Sequence, residues 1–198
     1  MELIAKPDEA TRPEIPEDWS YDYLDQHSSR GTGHTPDKKK DKYYDGSIVW
    51  VSLADSPNLD SGEINESKIT ISKEGIANSS TTLFPKGTVI LSRDAGVGKS
   101  AITGCELCVS QHFVTWICNE ETLHNWYLYY WLQFQKGVFE RIAMGSTVKT
   151  IGLTFFQEYH VPLPSYEEQR AIAEALSDVD ALIERLDALI AKKRAIKT

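Results

Sequence analysis

The sequence predicts an α+β protein: a globular domain of short twisted strands and packed helices, followed by a long C-terminal coiled-coil helix. Short segments rich in β-branched and aromatic residues, separated by Gly and Pro turns, predict the strands. Beyond Pro164 there is no Gly or Pro, and apolar residues recur in steps of four and three, which is typical of a coiled coil. We therefore divide the 198 residues into a globular domain, 1–160, and a helical region, 161–198.

Composition narrows the class of protein. The charged and apolar fractions, 25% and 41%, are those of a globular protein. No apolar run has the length of a membrane span, and the N-terminal residues lack the apolar core of a signal peptide. The three cysteines are an odd number and too few for a disulfide scaffold, so we expect reduced thiols in a cytoplasmic protein.

The charge distribution is uneven. A net charge of −8 argues against a nucleic-acid partner, but residues 1–27 carry eight acids against two bases and hold most of that excess. Residues 28–46 are predicted to be a long loop, which in a compact domain is often functional. This loop contains a local basic cluster: Arg30, Lys38, Lys39, Lys40 and Lys42. Such a loop can contact phosphate, with an affinity that falls steeply as salt rises.

The elements of the globular domain follow from local composition. The predicted strands are residues 48–52, 68–71, 88–92, 105–109 and 113–117, with a closing strand at 155–161. Thr122 can cap a helix that continues to about Met144. Its predicted apolar face is formed by Trp126, Tyr130, Phe134, Val138 and Ile142.

The C-terminal helix has a clear start signal. Ser165 stands three residues before Glu168, which is the spacing of a capping box. At about 1.5 Å per residue the helix is too long to fold back onto a small domain, so its apolar seam needs a partner helix. The seam consists of Ile172, Leu176, Val179, Ile183, Leu186 and Ile190.

Three motifs suggest catalysis or metal binding, and each has a simpler interpretation. Gly96-Val-Gly-Lys-Ser100 ends like a phosphate loop, but Arg93 occupies the place of the first glycine and no helix signal follows, so an ordinary turn is preferred. Asp37, Glu66 and Lys68 loosely fit a metal-dependent nuclease, although Asp37 lies in the Lys-rich loop. Cys105, Cys108, His112 and Cys118 offer zinc-type donors, but buried thiols explain them more simply.

Several short patterns occur in a definite order along the chain: Pro16-Glu-Asp-Trp19, Gly31-Thr-Gly-His-Thr-Pro36, Ile48-Val-Trp50, Pro85-Lys-Gly-Thr-Val89, Arg93-Asp-Ala-Gly-Val-Gly98, Gly145-Ser-Thr147 and Val161-Pro-Leu-Pro164 with Glu168-Gln-Arg-Ala-Ile172. In this order they resemble the DNA-specificity (S) subunits of type I restriction-modification systems. Each pattern is weak alone, whereas the ordered set is specific and covers nearly the whole chain from Pro13.

The resemblance implies a non-catalytic protein in a prokaryotic cytoplasm. In that family a target-recognition domain reads half of a split DNA site, and a spacer helix sets the distance to a second unit. The implied partners are double-stranded DNA, methyltransferase (modification) subunits and endonuclease/translocase (restriction) subunits. S-adenosylmethionine, ATP and Mg²⁺ are used by those partners, and we expect none to be bound by this chain.

For DNA contact, the resemblance and the charges together favour a specific set of side chains. Lysines would hold phosphates, while Arg93 or Gln111 could read guanine or adenine edges respectively. The set is Arg30, Thr32, Thr35, Lys38, Lys39, Lys40, Lys42, Lys73, Arg93, Lys99, Gln111 and Lys149.

The chain departs from the family pattern because it holds one recognition unit and one helix. It is thus a fragment of an N-terminal half or a half subunit that dimerises through its helix, and the abrupt ending at Thr198 favours the fragment. The competing functions are the two enzyme classes above and an adaptor that binds protein but no DNA.

Overall fold

The computed structural model describes residues 14–145 and 149–196. These residues form eleven short strands and five α-helices, in agreement with the predicted α+β class. The strands are β1 (Ser20–Tyr23), β2 (Ser28–Thr32), β3 (Tyr44–Val51), β4 (Glu63–Ile64), β5 (Thr70–Ile71), β6 (Leu83–Phe84), β7 (Val89–Ser92), β8 (Ser100–Thr103), β9 (Leu107–Val109), β10 (Phe113–Cys118) and β11 (His160–Leu163). The helices are α1 (Lys73–Ala77), α2 (Asn125–Phe134), α3 (Lys136–Ile142), α4 (Leu153–Gln157) and α5 (Tyr166–Ile196).

Three sheets build the globular body. The largest has the strand order β2-β10-β7-β8-β4, the second has the order β5-β3-β9-β6, and β1 pairs with β11 alone. The pairs β3·β9 and β4·β8 are parallel, and the other pairs are antiparallel. Strands β7 to β10 are buried along nearly their whole length, which agrees with their continuous apolar sequences.

Two apolar clusters form the core. The larger lies between the five-stranded sheet and the helices, where the Trp116 and Phe156 rings meet edge to face with centroids 5.6 Å apart. The smaller lies between the two larger sheets and is centred on Ile90, Leu107 and Phe113, all fully buried. Burial of large aromatic rings supplies much of the stabilisation of such a core.

The single helix predicted for residues 122–144 is wrong in its limits and in its buried face. Two helices, α2 and α3, replace it, and the first is preceded by His124 in an extended conformation rather than by a Thr122 cap. Of the predicted apolar face, Trp126 and Tyr130 pack against the core, whereas Phe134, Val138 and Ile142 are exposed, Phe134 by 74%. The fully buried side chains are Leu128, Leu132 and Phe139.

Two other local predictions need correction. The predicted strand 155–161 is helix α4 followed by β11, because Phe156 and its neighbours pack from a helical turn into the aromatic cluster around Phe139. The predicted 28–46 loop contains β2, a short 3₁₀ turn at Asp41–Tyr43 and the start of β3. Strand β2 was not predicted because its Ser and Gly residues are not typical of strands. Five residue pairs with β10 hold it in the sheet.

Helix α5 starts next to the globular body. Strand β11 pairs with β1, so residues 160–163 belong to the body, and the predicted boundary at residue 160 falls at this strand. The helix begins after Ser165, whose hydroxyl accepts a hydrogen bond from the Glu168 backbone N–H at 3.2 Å, as the capping-box spacing predicts. Within the described ranges no helix is long and apolar enough to span a membrane.

Candidate nucleic-acid interface

The basic segment after β2 is held in place by several hydrogen bonds. Gly33 passes so close to β9 that an added Cβ would lie 1.6 Å from the Val109 carbonyl oxygen, which leaves room only for glycine. The carbonyl of His34 accepts hydrogen bonds from Trp50 Nε1 (3.1 Å) and from Thr81 Oγ1 (2.9 Å). These contacts fix the direction in which the chain continues towards the lysines.

The lysine run follows a tight turn. The Tyr44 hydroxyl donates to the Pro36 carbonyl at 2.6 Å, and the Asp37 carboxylate accepts from the Lys39 backbone N–H at 3.0 Å. Lys38 and Lys39 are exposed, and Lys40 donates to the Tyr43 hydroxyl at 3.2 Å. Asp37 therefore shapes a turn that presents cationic side chains to solvent.

Beside this turn lies a cleft of about 630 Å³, which we call the cleft. Its lining residues are Thr35, Lys38, Asp41, Tyr44, Asp45, Trp50, Ser52, Leu53, Ala54, Ile69, Ser110, Gln111 and His112. Thr35 and Lys38, two predicted DNA contacts from one turn, thus meet a third, Gln111, which lies 76 residues from Thr35 in the sequence.

The far wall of the cleft is the turn between β9 and β10. Here the Thr35 hydroxyl donates to Gln111 Oε1 at 2.5 Å, and Gln111 Nε2 lies 3.4 Å from His112 Nε2. His112 Nδ1 in turn lies 2.7 Å from the Asp94 carboxylate. Asp94 is only 9% exposed, so this row of polar contacts runs from the cleft into the body of the domain.

The cleft has mixed charge, which affects what it can bind. Asp41 and Asp45 line it together with Lys38, so its interior is a poor site for a phosphate anion. Carboxylate, amide and hydroxyl groups along the cleft suit the polar edges of bases. Phosphates are better placed on the exposed lysines at its rim.

Three other predicted contacts have structural partners. Arg30 Nε lies 3.0 Å from both carboxylate oxygens of Asp25, and Thr32 donates to the Phe113 carbonyl at 2.7 Å. Lys42 pairs with Glu74 on α1, and the hydrogen bond and charge of Glu74 raise the pKa of Lys42. These side chains hold elements together, and Arg30 and Thr32 do not line the cleft.

Of the remaining predicted DNA contacts, two are bonded to protein groups and two are exposed. Arg93 donates to the carbonyls of Gln111 (3.2 Å) and Ile151 (3.1 Å), so its guanidinium faces protein rather than an open groove. Lys99 donates to the Ser56 carbonyl at 2.9 Å. Lys73 and Lys149 are exposed, and Lys149 precedes Thr150, whose hydroxyl bonds Asp94 at the inner end of the polar row.

The site residues that sequence reasoning missed come from strand β3 and from the turns that follow β7 and β9. Asp94, Tyr44 and Trp50 are separated from Gln111 by long stretches of chain, and only sheet pairing brings them together. The sequence suggests His112 only as a metal donor. Its position next to Gln111 is the signal that could have placed it in the site, because neighbours in a tight turn can share a surface.

The metal and phosphate-loop interpretations are not supported by the geometry. The Lys99 N–H closes a turn on the Gly96 carbonyl and β8 begins at the next residue, so no helix N-terminus faces a phosphate there. Burial raises the pKa of the Cys108 and Cys118 thiols to about 12. Among the described residues there is no group of three or more His, Cys, Asp or Glu side chains that could hold a metal ion.

Helix α5 provides a second candidate surface. Ala173 is buried and Ile172 packs against the main core, so the first turns are docked on the body. Beyond them the apolar seam is open to solvent, with Leu176, Val179, Leu182, Ile183, Leu186, Leu189 and Ile190 between 41% and 54% exposed. A regular apolar stripe with this exposure is typical of a helix that packs on another helix.

Comparison with known proteins identifies the family. A model described as the type I restriction modification DNA specificity domain matches residues 16–192. The type I restriction enzyme MjaIX specificity subunit of Methanocaldococcus jannaschii is 31% identical over 172 residues, which cover 86% of this chain and 40% of that protein. The chain therefore spans well under half the length of this relative.

Solved structures share the fold. A protein from a study of assembly and conformational transition of the type I R-M system superposes with a TM-score of 0.74 at 18% identity, over 92% of this chain and 43% of that one. The HsdS subunit of Thermoanaerobacter tengcongensis gives 0.68 at 19% identity, over 89% and 41%. The family model, which matches residues 16–192, shows that the chain belongs to the family of type I restriction-modification DNA specificity domains, and the shared fold agrees with it.

Proposed function

We propose that this chain recognises double-stranded DNA as a target-recognition unit and reads one half of a split site. The observation that carries the proposal is the meeting of Thr35, Lys38 and Gln111 at the cleft, in a chain of this family. Lys38 and Lys39 would hold phosphates at the rim and fix the register, and polar groups inside the cleft would contact base edges. Lys73 and Lys149 would extend the phosphate contacts.

In this proposal the chain is the non-catalytic specificity component of a larger complex in a prokaryotic cytoplasm. It directs methyltransferase and endonuclease subunits to the site. Those subunits use S-adenosylmethionine, ATP and Mg²⁺, and the chain itself binds no cofactor. The relatives' printed names, which call them specificity subunits of restriction enzymes, support this assignment.

We further propose that the exposed seam of α5 takes a partner helix. In a single-unit chain that partner is the same helix of a second copy, packed antiparallel. The regular exposure of the seam from Leu176 to Ile190 supports this arrangement, because both members of such a pair would bury the same stripe.

The test is selection from a random duplex library at low salt, with and without methyltransferase subunits. A single enriched half-site motif is the expected result. A control incubation of the chain alone with DNA and Mg²⁺, or with ATP, should give no turnover. Turnover would favour the nuclease or nucleotide hydrolase, and an absence of any DNA binding under either condition would favour the protein-binding adaptor.

A further inference from the structure

The Gln111 amide is held at both ends, and this fixes which way round it lies. Its oxygen accepts the Thr35 hydroxyl proton at 2.5 Å. Its nitrogen lies 3.4 Å from His112 Nε2. Because a carboxylate can only accept, the 2.7 Å contact with Asp94 places a proton on Nδ1, and in the neutral imidazole Nε2 is then the acceptor for the Gln111 N–H. Every donor in the row thus meets an acceptor.

The inner end of the row is itself anchored. The Asp94 carboxylate also accepts the Thr150 hydroxyl and lies 3.9 Å from an Arg93 guanidinium nitrogen. Arg93 donates to the Gln111 carbonyl, so the same group that neutralises Asp94 also holds the backbone of the reading residue. The orientation of the amide is therefore set by the folded domain before any ligand arrives.

Thr35 and His112 leave the Gln111 amide with further hydrogen-bonding capacity. An amide oxygen has two lone pairs and the nitrogen has two protons, and Thr35 and His112 use one of each. One acceptor and one donor therefore remain, and Gln111 lines the cleft. Among the single bases in the major groove, only adenine offers a donor beside an acceptor, N6 next to N7, whereas guanine offers two acceptors.

We propose that Gln111 reads one adenine in the DNA target and that Thr35 and His112 are positioning residues that fix the sense of its amide. This inference rests on the proposed DNA-recognition function and names the base that the cleft selects. A glutamine side chain without such partners loses rotational freedom when it binds a base, and this loss weakens the contact. The Gln111 amide is already ordered in the unbound fold, so we expect it to discriminate against other bases more strongly than an unsupported side chain would.

The first test needs no mutation of the protein. A selected duplex is prepared with 7-deazaadenine in place of each adenine in turn, which removes the N7 acceptor and leaves Watson–Crick pairing intact. At one adenine the wild-type chain should bind about 2- to 13-fold more weakly, the range that corresponds to the loss of one neutral hydrogen bond. The other adenines serve as internal controls.

The second test assigns that adenine to Gln111. Gln111→Ala should abolish the 7-deaza effect at that position and relax its base preference in a repeated selection, while the remaining positions keep theirs. Thr35→Val, which lacks the hydroxyl but keeps the shape, should reduce the 7-deaza ratio, and Thr35→Ser should restore it. A purely structural role of Thr35 would instead change affinity for all sequences alike.

The outcomes separate the inference from the proposed function. If the wild-type chain selects a motif but no adenine responds to 7-deaza substitution, or if Gln111→Ala leaves the response unchanged, adenine reading by Gln111 is wrong while DNA recognition stands. If the wild-type chain, with methyltransferase subunits present, selects no motif at all, the proposed function is wrong, and so is the inference that rests on it.

Discussion

The side chain of Gln169 joins α5 to the backbone around His124. Its amide oxygen accepts the His124 backbone N–H at 2.9 Å, and its amide nitrogen donates to the carbonyls of Thr122 (3.0 Å) and Pro164 (3.1 Å). Gln169 is 1% exposed, so one buried side chain satisfies three backbone groups at the point where the helix leaves the body. It thereby fixes how α5 is attached.

Removing this amide should loosen the attachment of the helix. Gln169→Ala removes the partner of the part-buried His124 N–H and of two carbonyls, of which that of Pro164 is buried, and an unsatisfied buried group costs about 1–3 kcal/mol. We expect the free energy of unfolding to fall by about 2–4 kcal/mol in urea titrations, after partial rehydration of the site. Gln157→Ala, at an exposed residue, is the matched control and should change stability little. An equal loss of unfolding free energy in both variants would contradict this role of Gln169.

The two exposed lysines at the rim of the cleft should supply sequence-independent affinity. Lys38→Ala combined with Lys39→Ala should weaken binding to all duplexes alike and flatten the dependence of log K on log salt by up to about 0.9 per lost phosphate contact. Lys40 is left in place because its ammonium holds Tyr43. The control is the same double change at Lys192 and Lys193 on α5. If the slope of log K against log salt is the same in the rim variant as in the wild type, Lys38 and Lys39 do not contact phosphates.

The open seam of α5 should drive dimerisation. Leu186→Asp places a charge in the middle of the stripe, where it would be buried between the two helices, and should give a monomer in sedimentation experiments at tens of micromolar. The globular domain should stay folded because Leu186 makes no core contact with it. Ala188→Asp adds the same charge on another face of the helix and should leave the dimer intact. A wild-type chain that sediments as a monomer would end this proposal.

The Asp60 carboxylate should make stability depend on pH in the acid range. Burial alone would raise its pKa, but hydrogen bonds from Gln133, Lys136 and the Ser100 N–H, together with the Lys136 charge, outweigh burial and hold the pKa below its usual value of 3.8. The unfolded chain then binds the proton more readily, so this contribution is present above about pH 4 and is lost as the pH falls through the folded value.

The matched variant for this effect is Asp60→Asn. Asp60 has a φ of +67°, a conformation that Asn also tolerates, so the change removes charge without adding backbone strain. The wild type should be more stable than the variant at pH 7, and urea titrations should show this gap narrowing as the pH falls below about 4. A gap that does not change with pH in this range would show that the charge plays no part.

Local sequence patterns predicted those parts of the fold that are determined locally. The β-branched segments became β3, β7, β9 and β10, and the Ser165 signal marked the start of α5. Strand β2 was missed because its Ser and Gly residues have low strand preference, and pairing with β10 decides its conformation. The break at Gln135 was missed because the apolar spacing continues through it, whereas the core lies on another side of each helix.

The candidate site was predicted as a list of residues rather than as a surface. Charge alone marked Lys38 and Lys39, and these are exposed. It also marked Arg30 and Arg93, whose guanidinium groups are occupied by a carboxylate and by carbonyls. Composition cannot separate a free cation from one already paired inside the fold. The contact between Thr35 and Gln111, 76 residues apart, depends on the tight passage of Gly33 across β9.

Helix α5 is anchored at two levels, by Gln169 at its first turn and by Asp180, whose carboxylate accepts the Tyr130 hydroxyl at 2.9 Å. The part of the helix beyond Asp180 ends at Ile196 and extends about 24 Å at about 1.5 Å per residue. A tilt of about 10° at Asp180 moves the far end by roughly 4 Å, which is about one base-pair step of about 3.4 Å. In the proposed paired complex, the two contacts at the base of the helix would therefore limit the range of half-site separations.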